Sequence, residues 1–373
     1  MMARVSMNRF AAHSKKHFRG DPFYDLNSVT EGFAPRPDTR DDTELLGRIC
    51  KAYSLSVSDS HSAPEHFQAT QWWKELQAGP LAPVMRALES GDIAALRPMY
   101  ANFFRDRCAN GLVGIPYGMA RAYFHGPMHD VHRHSYMGDA LYRLNYWREQ
   151  TGNQFNPTDL AGPAVGNPFG VSIGGTLVRS GSEYQHYCAH KILGLLGDGP
   201  QAVGEIGGGY GGIAYYLLRD GARIRYVDFD VPESIALTSY YLMRALPSPR
   251  FLLYESHGLA PEGAAAAEIA LLPSFAMARI PKLHFDLTFS SHMMADLSDA
   301  AMAEYLNIIA RMTRNYFVYF GDTAASPRIA SGLGVHGELV EARVMVWHRH
   351  KTTKREEGEY VYRIRHESPH DVD

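Results

Sequence analysis

The sequence predicts an α/β protein, with a mostly parallel sheet of seven strands, a C-terminal antiparallel hairpin and a mainly helical N-terminal half. Three observations carry this expectation. From about residue 198, short apolar runs alternate with helical periods, a rhythm that favours parallel strands joined by right-handed crossovers. The segments 342–350 and 358–366 alternate residue by residue on either side of a charged KTTKREE, as the arms of a hairpin do. Ahead of both, 44–196 keeps a helical period with short breaks at Pro and Gly.

Taken in order, residues 1–42 carry charge, Pro and Gly without periodicity and read as a loosely ordered arm. Residues 43–197 are expected to form the helical domain. Of its paired Trp72 and Trp73, one should face the core and the other the surface. Met137, Leu141, Leu144 and Trp147 recur at helical spacing before Gly152, a C-terminal stop. The stretch GPAVGNPFGVSIGG, 162–175, reads as a loop or hinge. Ser182-Glu-Tyr-Gln then opens another helix as a capping box. Residues 198–373 are expected to be the α/β domain, with strands at 202–206, 224–229, 251–254, 285–290 and 316–320. Its helices are expected at 213–219, from Pro232, at the alanine-rich 261–272, and from Ser298 with Met302, Tyr305, Leu306 and Ile309 inward. The run His348, Arg349, His350, Lys351 suits a solvated edge that discourages strand pairing.

Composition narrows the function classes. A net charge of −3 gives no electrostatic footprint for nucleic acid or for an anionic membrane. No apolar run approaches the roughly 18 residues of a spanning helix, and no secretory leader is visible, so a cytoplasmic location is expected. Cys50, Cys108 and Cys188 are widely spaced and odd in number, which points to buried small hydrophobes and not to disulfides or a zinc site.

The chemistry concentrates at GEIGGGYGG, between the first α/β strand and its helix. A glycine-rich turn there lets backbone approach a ligand at the carboxyl edge of the sheet. Gly207, Gly209 and Gly212 satisfy the dinucleotide pattern G-x-G-x-x-G, while Glu205, Gly207, Gly209 and Gly211 satisfy E-x-G-x-G-x-G, so glycines alone do not choose. The acid does. A carboxylate two residues before the run repels a pyrophosphate and attracts a ligand with an ammonium and a sulfonium, which describes S-adenosylmethionine (SAM). Asp230 lies where a second-strand carboxylate can accept both ribose hydroxyls; Asp228 is a near competitor.

VGEIGGGYGG followed by RYVDFDVPES resembles the first two motifs of class I SAM-dependent methyltransferases, and more narrowly those of bacterial sugar O-methyltransferases. FDLTFSSHMMADLS resembles that family's fourth-strand region, and GNPFG and YCAHKIL its N-terminal half, so the likeness spans roughly 166–320. It implies a Rossmann-like domain that binds SAM and releases S-adenosylhomocysteine (SAH). The acceptor implied is a hydroxyl of a sugar or glycosylated metabolite, with the helical domain as acceptor lid and possible homo-oligomer surface. The cofactor would be held by Glu205, Gly207, Gly208, Gly209, Tyr210, Gly211, Asp230, Ser290 and Ser291. The family commonly has Glu before Met where this chain has Asp296 before Leu297.

Methyl transfer to a weakly acidic hydroxyl gains from a base, and His292, just beyond the fourth strand, is the candidate. Asp296 would orient that imidazole, help hold a metal, or simply begin the next helix. A second group, His129, Asp130, His132 and His134, would put His132 and His134 on one side of an extended segment, facing acceptor hydroxyls or a metal. No third ligand is fixed by spacing, so no metal is assigned. The competing readings are an NAD-dependent oxidoreductase, a methyltransferase with a non-sugar acceptor, and a SAM-binding partner without catalysis.

Overall fold

The computed structural model describes residues 29–113, 130–221, 223–254, 267–347 and 356–366. These group into two compact units. One holds the described residues of Met1–Asp42, Ala94–Tyr187 and Val346–Thr352; the other holds those of Thr43–Ile93, Cys188–Met345 and Thr353–Asp373.

The first unit is built on a three-stranded antiparallel sheet, β1 (Val29–Gly32), β2 (Gly170–Ile173) and β3 (Thr176–Arg179), in that order. Part of the stretch read as a hinge is thus a hairpin. Gly174 and Gly175 both have positive φ, 55° and 83°, the backbone that a two-residue hairpin turn requires, and the sequence pattern of four-residue strands was too short to reveal it. The GNPFG loop before β2 is braced: Asn167 accepts from the Arg36 amide at 2.7 Å and donates to Asn102 at 2.8 Å, while Arg105 donates to the Asn167 carbonyl at 2.8 Å. The long helix Asp130–Gln150 buries Leu141, Leu144 and Trp147 as its spacing predicts. The Trp147 indole donates to Nδ1 of the buried His186 at 3.2 Å.

The second unit contains an eight-stranded sheet. Its strands are β4 (Gln201–Ile206), β5 (Ile224–Asp230), β6 (Phe251–Leu253), β7 (Ile269–Pro273), β8 (Phe285–Ser291), β9 (Thr313–Asp322), β10 (Gly337–Met345) and β11 (Glu357–Ile364). They lie in the order β10-β11-β9-β8-β4-β5-β7-β6, with β6 to β9 parallel to β4 and β5, and β11 antiparallel to both β9 and β10. Seven strands were expected. The eighth comes from 261–272, where Ala-rich composition suggests a helix; Ile269–Pro273 is instead a wholly buried strand between β5 and β6, because a five-residue apolar run suits a parallel sheet covered on both faces. Residues 255–266 lie outside the described set.

The helices follow the strand ends. α1 (Thr43–Ser60), α2 (Gln71–Ala78) and α3 (Ala82–Ser90) precede the sheet, and α4 (Gly212–Asp220) and α5 (Pro232–Ala245) follow β4 and β5. α6 (Asp299–Met312) follows β8, and Ser298 caps it by accepting from the Ala301 amide at 3.2 Å. The helices before the sheet pack onto this unit. The Trp73 indole and the Gln77 amide each donate to the buried Glu233 carboxylate at 2.6 Å, Tyr254 donates to Asp59 at 2.7 Å, and the Phe67 ring sits 5.4 Å from that of Tyr305. Trp73 is buried and Trp72 exposed, the expected split. Cys50, Cys108 and Cys188 are free and buried. No helix among the described residues is long and apolar enough to cross a membrane.

Replacing Trp73 with Ala removes a buried ring and half of the support for a buried carboxylate, so urea unfolding should show a loss of about 3–5 kcal/mol. The exposed Trp72→Ala should stay within about 0.5 kcal/mol. Equal effects would overturn the assignment of Trp73 as the anchor.

Candidate functional site

β4 has β5 on one side and β8 on the other: the chain leaves β4 toward β5, β7 and β6 and then crosses back from β7 to β8, a reversal that opens a crevice at the carboxyl ends of these strands. The glycine loop lies there. Gly207, Gly209 and Gly211 have φ of 80°, 64° and 88°, left-handed values that favour glycine. Gly207, Gly208 and Gly209 are half-buried, while Tyr210, Gly211 and Gly212 are buried.

The bareness of the loop serves the protein itself. A Cβ on Gly207 would lie 2.5 Å from Cβ of Met293, and one on Gly208 would lie 2.6 Å from both carboxylate oxygens of Asp228. The loop is therefore pressed onto an acid. Gly208 donates its amide to Asp228 Oδ1 at 3.1 Å, and Gly209 donates to Asp230 Oδ2 at 3.0 Å. The Gly209 carbonyl accepts from Ser234 at 2.9 Å and from Thr238 at 2.6 Å, so α5 clamps the loop from the other side.

Three carboxylates meet beneath this loop. Glu205 and Asp228 are register partners on β4 and β5, and Asp230 ends β5; their exposures are 1%, 0% and 8%. Glu205 accepts a hydrogen bond from Tyr226. Burial, together with the Asp230 charge and against the Tyr226 bond, pushes the Glu205 carboxyl up to about 8. Burial and the charges of Glu205 and Asp230 hold Asp228 well above the carboxylate range. Burial also raises Asp230, to about 6, although Ser234 and the Val231 and Gly209 amides oppose the shift. Asp228 Oδ2 is buried without a hydrogen-bond partner among the described residues. Such a centre favours a cation, beside which these acids can ionise, over a phosphate.

The expected residues are distributed as follows. Asp230 spends Oδ1 on the Val231 amide at 2.7 Å and Oδ2 on Gly209 and Ser234, the last at 2.6 Å. Of about four acceptor positions on a carboxylate, one is left for a ligand hydroxyl. Tyr210 is buried with its ring edge-on to Tyr241, 5.2 Å away. Ser290 is buried and donates to the Ile206 carbonyl at 2.8 Å, tying the end of β8 to β4; Ser291 is half-buried. His292 is exposed and its backbone stands at φ 65°, ψ −35°, a strained conformation for a residue with a side chain. Its amide donates to the Phe320 carbonyl at 2.7 Å, and a Cβ on Gly321 would lie 3.1 Å from its Cα, so β9 presses His292 into place. Asp296 is exposed at the end of the short helical turn Met293–Asp296.

The second histidine group requires a correction. Asp130–Gln150 is helical, so positions 132 and 134 lie about 200° apart around an axis and not on one side of an extended segment. The side chains of His132 and His134, all of His129 and the basic run 348–351 lie outside the described residues. Four contributors escaped the sequence: Tyr226, Ser234, Thr238 and Met293. Ser234 and Thr238 left a signal, two small hydroxyls four apart and so on one face of α5.

No family model matches the chain, and no curated protein is similar to it. Solved structures are. The pyocyanin biosynthetic protein PhzM is 14% identical over 50% of this chain and 56% of its own, with a TM-score of 0.34. The mitomycin 7-O-methyltransferase MmcR is 12% identical over 49% and 55%, at 0.35. A SAM dependent methyltransferase from Aquifex aeolicus is 14% identical over 57% and 100%, at 0.34. The matched region thus spans little more than half the length of the first and second of these. The fold is a methyltransferase-like Rossmann fold. That assignment rests on the strand order, with β11 antiparallel between β9 and β10, and not on superpositions of this quality.

A carboxyl raised from 4.5 to about 8 keeps its proton when folded and loses it when unfolded, so the stability it contributes is full near pH 4.5 and is lost as pH rises toward 8. The melting temperature of the unliganded chain should therefore fall between pH of about 5 and 8, and Glu205→Gln should flatten that fall. A profile unchanged by Glu205→Gln would contradict the burial of a protonated acid beneath the loop.

Proposed function

We propose that the chain is a SAM-dependent O-methyltransferase whose acceptor is a hydroxyl of a sugar or glycosylated metabolite. The observation that carries the cofactor is the buried group Glu205, Asp228 and Asp230 under a glycine loop at the switch point of the sheet. A ligand bearing an ammonium and a sulfonium suits that charge, and a pyrophosphate, which the G-x-G-x-x-G pattern alone would admit, does not. The acceptor class rests on the sequence resemblance.

In this reading Glu205 and Asp228 compensate the positive end of the cofactor, the Gly207–Gly209 backbone lies against it, and the remaining acceptor position of Asp230 takes a ribose hydroxyl. When bound, SAM supplies an electrophilic methyl carbon and leaves as SAH. The chain must then do two things. It must hold the acceptor oxygen in line with that carbon, and it must take the hydroxyl proton as the new C–O bond forms. A ring nitrogen of His292 receives the proton; the backbone constraint from Phe320 and Gly321 fixes where the imidazole can stand. Ser290 and Ser291 face the same end of β8. Asp296 follows one turn later and orients the imidazole. The resemblance assigns acceptor specificity to the helical half. No step in this scheme needs a metal, so activity should survive EDTA.

Equilibrium binding tests the cofactor: SAH should bind in the micromolar range and NADH should not. Methyl transfer from labelled SAM to a panel of glycosides and nucleotide sugars tests the acceptor. His292→Ala should lower turnover by about 10²–10⁴-fold with SAH affinity unchanged. NADH binding without SAH binding would sink the cofactor assignment, and full turnover by His292→Ala would sink the base.

A further inference from the structure

Among the described residues, six large hydrophobic side chains are exposed, and five of them fall within 335–346: Val335 at 83%, Leu339 at 47%, Val340 at 41%, Val344 at 60% and Val346 at 42%. Such a concentration is unlike the scattered exposed apolar residues of an ordinary surface. Three of them, Leu339, Val340 and Val344, lie in β10, the terminal strand of the eight-stranded sheet, which pairs only with β11 among the described strands. An edge this long and apolar is normally blunted by lysine, proline or a covering element. β10 has neither lysine nor proline in GELVEARVM; its charges, Glu338, Glu341 and Arg343, are of both signs, and it carries one bulge, at Val340.

We propose that β10 pairs with β10 of a second copy of this chain, about a two-fold axis at Ala342, to make a homodimer with a continuous sheet. The strand is self-complementary in that register. In antiparallel pairing about position 342, Glu341 stands opposite the partner's Arg343, and Arg343 opposite the partner's Glu341. Val340 stands opposite the partner's Val344, and Ala342 faces its own copy. Opposite charges and apolar pairs directly across an antiparallel ladder each stabilise it, and an isologous contact makes every such pair twice. Glu341 is already fixed on the strand by Lys191, whose Nζ donates to both of its oxygens at 2.8 Å, so its charge is oriented before association. The bulge at Val340, where Leu339 pairs with Tyr362 and Glu341 with Val361, is repeated at both ends by the two-fold, so the regular ladder between copies is confined to the charged centre and Val340 and Val344 flank it. Val335, in the turn that leads into β10, extends the apolar area beyond the strand. A second copy is favoured over an unrelated partner because the pattern complements itself and no other charge pattern is needed.

Sedimentation equilibrium on the full chain tests this at micromolar concentration. The wild type should sediment at twice the chain mass. Val344→Lys buries an ammonium in the apolar row and Arg343→Glu sets like charges across the axis, so each should raise the dimer dissociation constant by about tenfold or more. Both positions are exposed in the single chain, so circular dichroism and melting temperature should not change. Ala342→Cys supplies the positive evidence: the native cysteines are buried, so oxidation should yield a disulfide-linked dimer through position 342. A monomeric wild type would overturn the proposal, whether the edge is then bare or covered by residues 1–28 of the same chain. So would a dimer that Val344→Lys leaves intact and Ala342→Cys fails to cross-link.

Discussion

Three carboxylates buried side by side are the constraint around which the candidate site is arranged. Glu205 and Asp228 lie together because β4 and β5 are in register, and Asp230 follows at the end of the same strand. Charges so placed are costly unless they are protonated, hydrogen-bonded or matched by a ligand. The chain uses the first two devices. Raised carboxyl groups keep protons, and two amides of the glycine loop turn down onto Asp228 and Asp230. The third device, a cationic ligand, is the one the proposed function supplies.

The same constraint explains details that look unrelated. Gly208 must be bare because the Asp228 oxygens occupy the place of its side chain. Ser234 and Thr238 stand on α5 because the loop, bent down toward the acids, needs its Gly209 carbonyl held from above. Ser290 ties β8 to β4 at the same level, and from there the chain passes directly to the strained His292. In the proposed reading the cofactor end and the reacting end are thus held on one sheet edge, which is where in-line transfer requires them.

Much of this was legible in the sequence. The pattern of β4, α4, β5 and α5 is strong enough that each expected strand or helix falls within a residue or two of its observed place, and Ser298 caps its helix as expected. Glu205 was the informative residue of its motif. What the sequence concealed has physical causes. Ile269–Pro273 is too short and too apolar for periodicity to tell strand from buried helix. The hairpin of Gly170–Ile173 and Thr176–Arg179 hides in glycines that look like a loop. The glycines of the cofactor motif suggest a ligand's approach, while three dimensions reveal that Met293 and Asp228 already fill the space. Asp228 seemed a rival to Asp230, yet the two act on successive amides of one loop. Tyr226 and Met293 are remote in sequence from the loop they support, and nothing local marks them.

The central claim is that the site recognises positive charge through acids that hold protons until the ligand arrives. Calorimetric titration of the chain with SAM at pH 7, repeated in buffers of different ionisation enthalpy, measures the protons exchanged on binding. With Glu205 raised to about 8, a cationic ligand should release about one proton, and Glu205→Gln should abolish most of that release. Binding of SAM with no proton release, or with proton uptake, would contradict it.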